Sequence, residues 1–199
     1  MKYPATTFIL ATVQAAYMAI NDARCTQNDH WVGTLPYFRS DQIMPCSYAG
    51  TLISNDEATH HLFYWMYPTE DENAPVTVWL NGGPGASSTF ANFLLNGPLE
   101  ITHNSSSPSD YDVHLKAEGS WTDISNMVFV DQPVGTGFSW GVPLLTNEEE
   151  SSQEFLNFMD LLYLKYPEFE GRDLYLTGES YGGKYLPRYS YELLMENQK

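Results

Sequence analysis

The sequence predicts an α/β protein built on a parallel or mixed sheet. Three features carry that reading: short β-branched or aromatic runs bounded by turn residues, an amphipathic helix between the last two runs, and a strand–turn–helix signature at Gly178-Glu179-Ser180-Tyr181-Gly182. The extended runs are Leu62 to Met66, Val76 to Leu80, Met127 to Asp131 and Leu174 to Thr177. Three of them are nearly continuous in apolar character, as strands covered on both faces must be. The first strands lie close together in the chain, so the sheet is expected to begin antiparallel. For the helix, Thr146 and Glu149 read as a capping box, and Glu148 to Glu150 suit the positive end of the helix dipole. Phe155, Phe158, Met159 and Leu162 then share one face, and the helix is expected to end near Tyr166-Pro167. Asn104 to Asp110, rich in Ser and Pro, reads as a surface loop, and no repeat interrupts the pattern.

A chain of 199 residues with 43% hydrophobic and 15% aromatic content makes one domain with a sizeable core. Its net charge of −16 repels nucleic acid and anionic membrane surfaces, so no nucleic-acid partner is expected. The charge itself fits either ordinary solubility or an acidic compartment. Residues 1–23 carry Lys2, a short apolar run from Phe8 to Val13, and the small residues Ala15, Ala16, Ala19 and Ala23. That is the pattern of a secretory signal peptide, with residues 24–199 as the domain proper; a buried N-terminal helix is the alternative. The run is too short to span a bilayer, so no stable membrane insertion is expected. Cys25 and Cys46 can close one loop in an oxidising compartment or remain free thiols, and Asn104-Ser105-Ser106 is an N-glycosylation sequon. These signs agree on the secretory pathway.

The chemistry concentrates in two glycine-rich turns. Gly178 to Gly182 is a G-x-S-x-G directly after a strand and before a helix-compatible segment, which defines a nucleophile elbow with Ser180 as nucleophile. Such a turn strains the serine backbone, and the glycines two residues either side relieve the collision that side chains would make with it. Upstream, Trp79-Leu80-Asn81-Gly82-Gly83-Pro84-Gly85 also follows a buried strand. Acyl transfer needs two N–H donors aimed at a developing oxyanion, and this order of motifs makes the backbones of Gly83 and Tyr181 the candidates. His30, His60, His61, His103 and His114 all precede the nucleophile, whereas a fold of this type supplies its base after it, so each reads as a surface or strand-flanking residue. No cysteine–histidine cluster suggests a metal, and no cofactor is expected.

Three blocks then resemble one family closely: WLNGGPG from Trp79, FVDQPVGTGFSW from Phe129 to Trp140, and GESYGGKYLP from Gly178 to Pro187. They are similar to the signature blocks of the serine carboxypeptidases, and the stretches Tyr48 to Leu52 and His61 to Trp65 match as well. The resemblance implies an alpha/beta-hydrolase fold, truncated after the nucleophile elbow, with the catalytic Asp and His in a C-terminal half beyond Lys199. It implies Ser180 as nucleophile, Gly83 and Tyr181 as oxyanion hole, and Trp79, Asn81, the Gly82 backbone and Glu179 around the substrate's free carboxylate. Asp131 is then a loop support rather than the triad acid. An ionised Glu179 would repel a carboxylate, so it must hold or share a proton, which fits family members that work in acid. The implied substrate is a peptide or protein C-terminus. An acyltransferase and a non-catalytic binder of peptide C-termini are the alternatives, and the 199 residues alone are expected to be inactive. Two residues depart from the family pattern: Leu95 stands where a Glu is usual, two residues before Gly97-Pro98, and Ala86 stands where many members have Cys.

Overall fold

The computed structural model describes Cys25, residues 28–103 and residues 111–198. The signal-peptide reading of residues 1–23 and the sequon at Asn104 lie outside these. Eight strands form the described framework: β1 Tyr48–Ile53, β2 His60–Tyr67, β3 Val76–Leu80, β4 Leu99–His103, β5 Tyr111–Leu115, β6 Asn126–Asp131, β7 Trp140–Gly141 and β8 Leu174–Gly178. Helices α1 (Thr89–Leu94), α2 (Glu148–Lys165) and α3 (Gly182–Glu196) are interleaved with them.

The main sheet runs β1-β2-β6-β3-β8, with β7 added beside β2. Its first pairings, β1 with β2 and β2 with β6, are antiparallel, while β3 lies parallel to both β6 and β8. The antiparallel start and parallel centre follow from connection length, since only the later strands are joined by crossovers long enough to hold helices. Along β3 and β6 every residue is buried, and alternate side chains feed two different cores. Val76, Val78, Leu80, Val128 and Val130 meet Phe155, Phe158, Met159 and Leu162 of α2 and Tyr185 and Tyr189 of α3. Trp79, Met127 and Phe129 face the other way, joining Trp65, Tyr67, Ala91 of α1 and Leu99 of the β4–β5 hairpin. The helices therefore carry the parallel part of the sheet between them and place both glycine-rich turns at the strands' carboxyl ends, where open α/β sheets bind ligands.

Several local expectations need correction. The cap of α2 is one residue later than the sequence suggested: Asn147 is the N-cap, its Oδ1 accepts from Glu150 N at 2.9 Å, and Glu150 Oε2 accepts from Thr146 N at 3.0 Å. The box is therefore Asn147 with Glu150, because Asn caps as well as Thr and its register also frees Glu148 for another contact. His60 is strand-flanking, opening β2, but it is buried rather than on the surface. It is 4% exposed and its Nδ1 is hydrogen-bonded to the buried Glu154 carboxyl, whose other oxygen accepts from Ser54 Oγ at 3.0 Å. The pairing joins β2 to α2, and neither half is legible alone because the two residues are far apart in the chain.

Cys25 and Cys46 are disulfide-bonded, with Cα atoms 5.6 Å apart. Asp131 supports a loop: its fully buried carboxylate accepts from Ser87 Oγ at 2.6 Å, Thr89 N at 3.2 Å and Phe138 N at 3.0 Å. It thereby pins the start of α1 and the 132–139 loop to the end of β6. Asp131→Asn, which exchanges one acceptor oxygen for a donor NH2 among these N–H and O–H groups, is expected to destabilise the fold by about 2–3 kcal/mol. A urea unfolding midpoint lowered with unchanged m-value is the check.

Candidate active site

Ser180 has φ +55° and is exposed, at the middle of the three-residue turn between the end of β8 and the start of α3. A side chain pays a steric penalty in the left-handed region, so such a residue persists only when the surrounding structure over-determines it. Here the determinants are β8, locked in register with β3 from Val76↔Leu174 to Leu80↔Gly178, and α3, which starts two residues on. The two flanking glycines have a different role from the one expected. A Cβ on Gly178 would stand 2.3 Å from Leu80 O, and one on Gly182 would stand 3.0 Å from the same oxygen. What they avoid is the carbonyl at the end of the neighbouring strand rather than the serine itself.

The upstream turn packs directly on the elbow. A Cβ on Gly82 would lie 2.4 Å from Tyr181 N, 2.8 Å from Glu179 O and 2.9 Å from Ser180 Cβ. Backbone-to-backbone approach is thus possible only for glycine at this position. Gly83, with φ +105°, follows at once, and neither its N–H nor that of Tyr181 has a hydrogen-bond acceptor among the described residues. Two N–H groups without acceptors thus lie in the two turns that meet at the exposed serine.

Around that centre, Trp79 Nε1 donates to Asn81 Oδ1 at 2.6 Å, and Asn81 N donates to Ser88 Oγ at 3.0 Å. The first bond fixes Asn81 Oδ1 as the accepting end and leaves its Nδ2 as a donor. Trp79 is held edge-on by Trp121, with ring centroids 5.5 Å apart. Glu179 is exposed beside Ser180. Leu95 is the C-cap of α1, 39% exposed, and its carbonyl accepts from Lys116 Nζ at 2.6 Å. The five histidines are engaged elsewhere. Besides His60, His30 Nδ1 is 2.7 Å from Tyr64 OH, His61 stacks on Trp140 at 3.9 Å, and His114 Nδ1 is 3.1 Å from Leu115 O. His103 meets Tyr111 edge-on across the β4–β5 hairpin.

One member of the site escaped the sequence reading. The Tyr181 phenol donates to Glu148 Oε1 at 2.5 Å, and Lys184 Nζ lies over the Tyr181 ring, 5.1 Å from its centroid. The hydrogen bond from Tyr181 holds the Glu148 carboxyl below the usual carboxylate range and pushes the Tyr181 phenol up. Glu148 is legible in the sequence only as a first-turn acid suited to the helix dipole, since its partner lies beyond the rest of α2 and the whole of β8, 33 residues along the chain.

A mixed sheet ordered β1-β2-β6-β3-β8, crossed by helices and carrying a strained serine between β8 and α3, defines an alpha/beta-hydrolase core. Comparison with known proteins narrows the class. The sequence pattern described as serine carboxypeptidase matches residues 39–199. The pheromone-processing carboxypeptidase KEX1 of Ogataea parapolymorpha is 33% identical over 193 residues, covering 92% of this chain and 30% of that protein. The venom serine carboxypeptidase of Apis mellifera is 38% identical over 159 residues, covering 77% of this chain and 32% of that one. Among solved structures, the prohormone-processing carboxypeptidase Kex1Δp of Saccharomyces cerevisiae superposes with TM-score 0.70 at 28% identity, covering 78% of this chain and 35% of that chain. This chain belongs to the serine carboxypeptidase family. It spans about 30% of the length of the curated relatives it matches.

Proposed function

We propose that this chain carries the nucleophile, the oxyanion hole and part of the carboxylate-recognition site of a serine carboxypeptidase that releases C-terminal residues from peptides through an acyl-enzyme. The observation that carries the reading is the exposed Ser180 at positive φ with the free N–H groups of Gly83 and Tyr181 beside it. In the reaction Ser180 Oγ attacks the scissile carbonyl carbon, its proton passes to a base, and the carbonyl oxygen takes up negative charge between the two N–H groups. The C–N bond then breaks, the C-terminal residue leaves with that proton, and water releases the acyl group. In this fold the base is a histidine that follows the nucleophile, and the five histidines here all precede Ser180.

Asn81 Nδ2, the backbone of Gly82 and Glu179 surround the substrate's terminal carboxylate in this reading, with Trp79 orienting Asn81. Glu179 donates to that carboxylate only when it holds or shares a proton, since two ionised carboxylates side by side repel. The disulfide between Cys25 and Cys46 supports passage through an oxidising, secretory compartment.

The test is the ratio of kcat/KM for peptides with a free C-terminal carboxylate to that for their amides, measured in a catalytically complete form. A clear preference for the free acid supports an exopeptidase, and equal rates would overturn it. In the same assay Leu95→Glu, which restores a second carboxyl able to share a proton with Glu179, is expected to raise the ratio. The gain should be about tenfold near pH 5, as for one added charge-assisted hydrogen bond, and smaller at pH 7. An unchanged ratio would show that Leu95 does not face the carboxylate.

A further inference from the structure

The contact between Tyr181 and Glu148 lies outside the nucleophile, the oxyanion donors and the carboxylate site, yet it joins helix α2 directly to the elbow. A cavity of about 170 Å³ beside it is lined by Pro84, Pro133, Leu145, Glu148, Tyr181 and Tyr185, so it borders both glycine-rich turns. The Tyr181 ring spans that space. Its hydroxyl is bound by Glu148, Lys184 lies over its face, and the Tyr185 ring meets its edge with centroids 5.1 Å apart. Tyr185 is 2% exposed, and burial pushes its phenol up to about 12. The Tyr181 side chain is therefore held at its hydroxyl, on one face and by the Tyr185 ring, and a side chain so held restrains the backbone from which it springs.

We propose that Glu148 is a positioning residue: by holding the Tyr181 phenol from the first turn of α2, it fixes the direction of the Tyr181 backbone N–H toward the oxyanion. This role rests on the carboxypeptidase reading for its purpose and on geometry for its existence. Tyr181 is the residue immediately before α3, with φ −63° and ψ −15°; the peptide plane that carries its N–H is held at the carbonyl end, where Ser180 O accepts from Gly183 N at 2.9 Å, and the phenol anchor adds a second hold on the residue whose N–H has no acceptor among the described residues. The anchor comes from Asn147 and Glu150, which cap α2 around Glu148 and keep its first turn in place. The short bond is a charge-assisted one, the kind that combines strength with direction.

The anchor depends on charge in a defined way. The groups facing Glu148 from α3 are Tyr181, Tyr185 and Lys184, while Glu149 and Glu150 flank it on α2, and Pro84, Pro133 and Leu145 bring no charge. Arg188 is turned to Glu192 at 2.5 Å and to Glu149 at 3.8 Å. The Glu148 carboxyl titrates below the usual range because its ionised form accepts from Tyr181. The contact is therefore complete at and above mild acid and is lost only as pH falls through that lowered value.

The test reads the backbone itself. In the 15N-labelled chain combined with a completing C-terminal segment, the Tyr181 and Gly182 amide resonances are expected to move together as pH is lowered from 7 to 3. Glu148→Gln, which keeps an acceptor but does not titrate, should abolish that movement. Glu148→Ala and Tyr181→Phe should displace the Gly182 amide alike, and the double variant should add nothing to either. In a catalytically complete form, Glu148→Gln should slow maximal fluorophosphonate labelling of Ser180 about tenfold with the half-saturating probe concentration unchanged, less than the 10²–10³ lost with a whole donor. A Glu148→Gln protein whose amides still move with pH, or whose labelling is unaltered, would overturn the proposal. Absence of labelling in the unsubstituted protein would instead sink the hydrolase reading and leave the amide measurement standing.

Discussion

Gly82→Ala is expected to cost about 3 kcal/mol of stability and to reduce Ser180 reactivity about a hundredfold, although it adds a single methyl group. The new Cβ would stand under 3.0 Å from Tyr181 N, Glu179 O and Ser180 Cβ at once. None of these can give way by rotating a side chain, so the two turns must move apart, and a donor N–H displaced by about 1 Å misses the oxyanion. Gly178→Ala should destabilise the fold comparably through Leu80 O, because β3 and β8 pair at that point. Gly183 provides the matched control. It lies in the first turn of α3, without positive φ, and a Cβ there meets no atom within 4 Å. Gly183→Ala should therefore leave reactivity intact and stabilise the helix by about 0.5–1 kcal/mol. Thermal unfolding and probe labelling of the three variants separate close backbone approach from a general effect of lost glycine.

The parts of the fold that announce themselves in the sequence are those with a local cause. Val76 to Leu80 reads as a strand to its last residue, and the antiparallel start follows from short connections. The nucleophile elbow is legible because its spacing is imposed by strand, turn and helix within a few residues. Other parts have causes that lie across the chain. Leu99–His103 and Tyr111–Leu115 pair with each other and cover Trp79 and Phe129 from beyond the sheet, but their mixed polar and apolar residues show no strong period. Pro187 argues against a helix, yet α3 runs through it because Tyr185 and Tyr189 are buried on either side. The His60–Glu154 pair and the Tyr181–Glu148 bond join elements separated by many residues, so each residue alone reads as ordinary surface polarity. In the candidate site the serine and the glycines are legible from motif and order, and Asn81 only through the family resemblance. The reason for the glycines was not, since the Leu80 carbonyl that excludes a side chain belongs to another strand.

The 199 residues, expressed alone, are expected to be inert toward peptides. The Ser180 hydroxyl needs a base to become a nucleophile near neutral pH, and His30, His60, His61, His103 and His114 are committed to Tyr64, Glu154, Trp140, Tyr111 and the Leu115 carbonyl. Serine proteases stripped of their triad keep about 10³–10⁴ over water from the oxyanion hole and substrate binding, far below useful turnover. At the end of the sheet, β8 pairs only with β3 among the described residues, and Tyr175 on it is 54% exposed. An unpaired edge of this kind takes up a further strand readily, from a completing segment or from another molecule. The isolated chain should therefore associate in solution unless such a segment is supplied.

The most direct measurement is active-site labelling. The purified chain is treated with a serine-directed fluorophosphonate, alone and together with a separately expressed C-terminal segment from a full-length serine carboxypeptidase, and the labelled residue is located by mass spectrometry. Labelling of Ser180 that appears only on complementation, and disappears in Ser180→Ala, is the predicted result. Rapid labelling of Ser180 in the isolated chain, or labelling of another serine in the complemented one, would contradict the assignment of these residues as the nucleophile-bearing part of a serine carboxypeptidase.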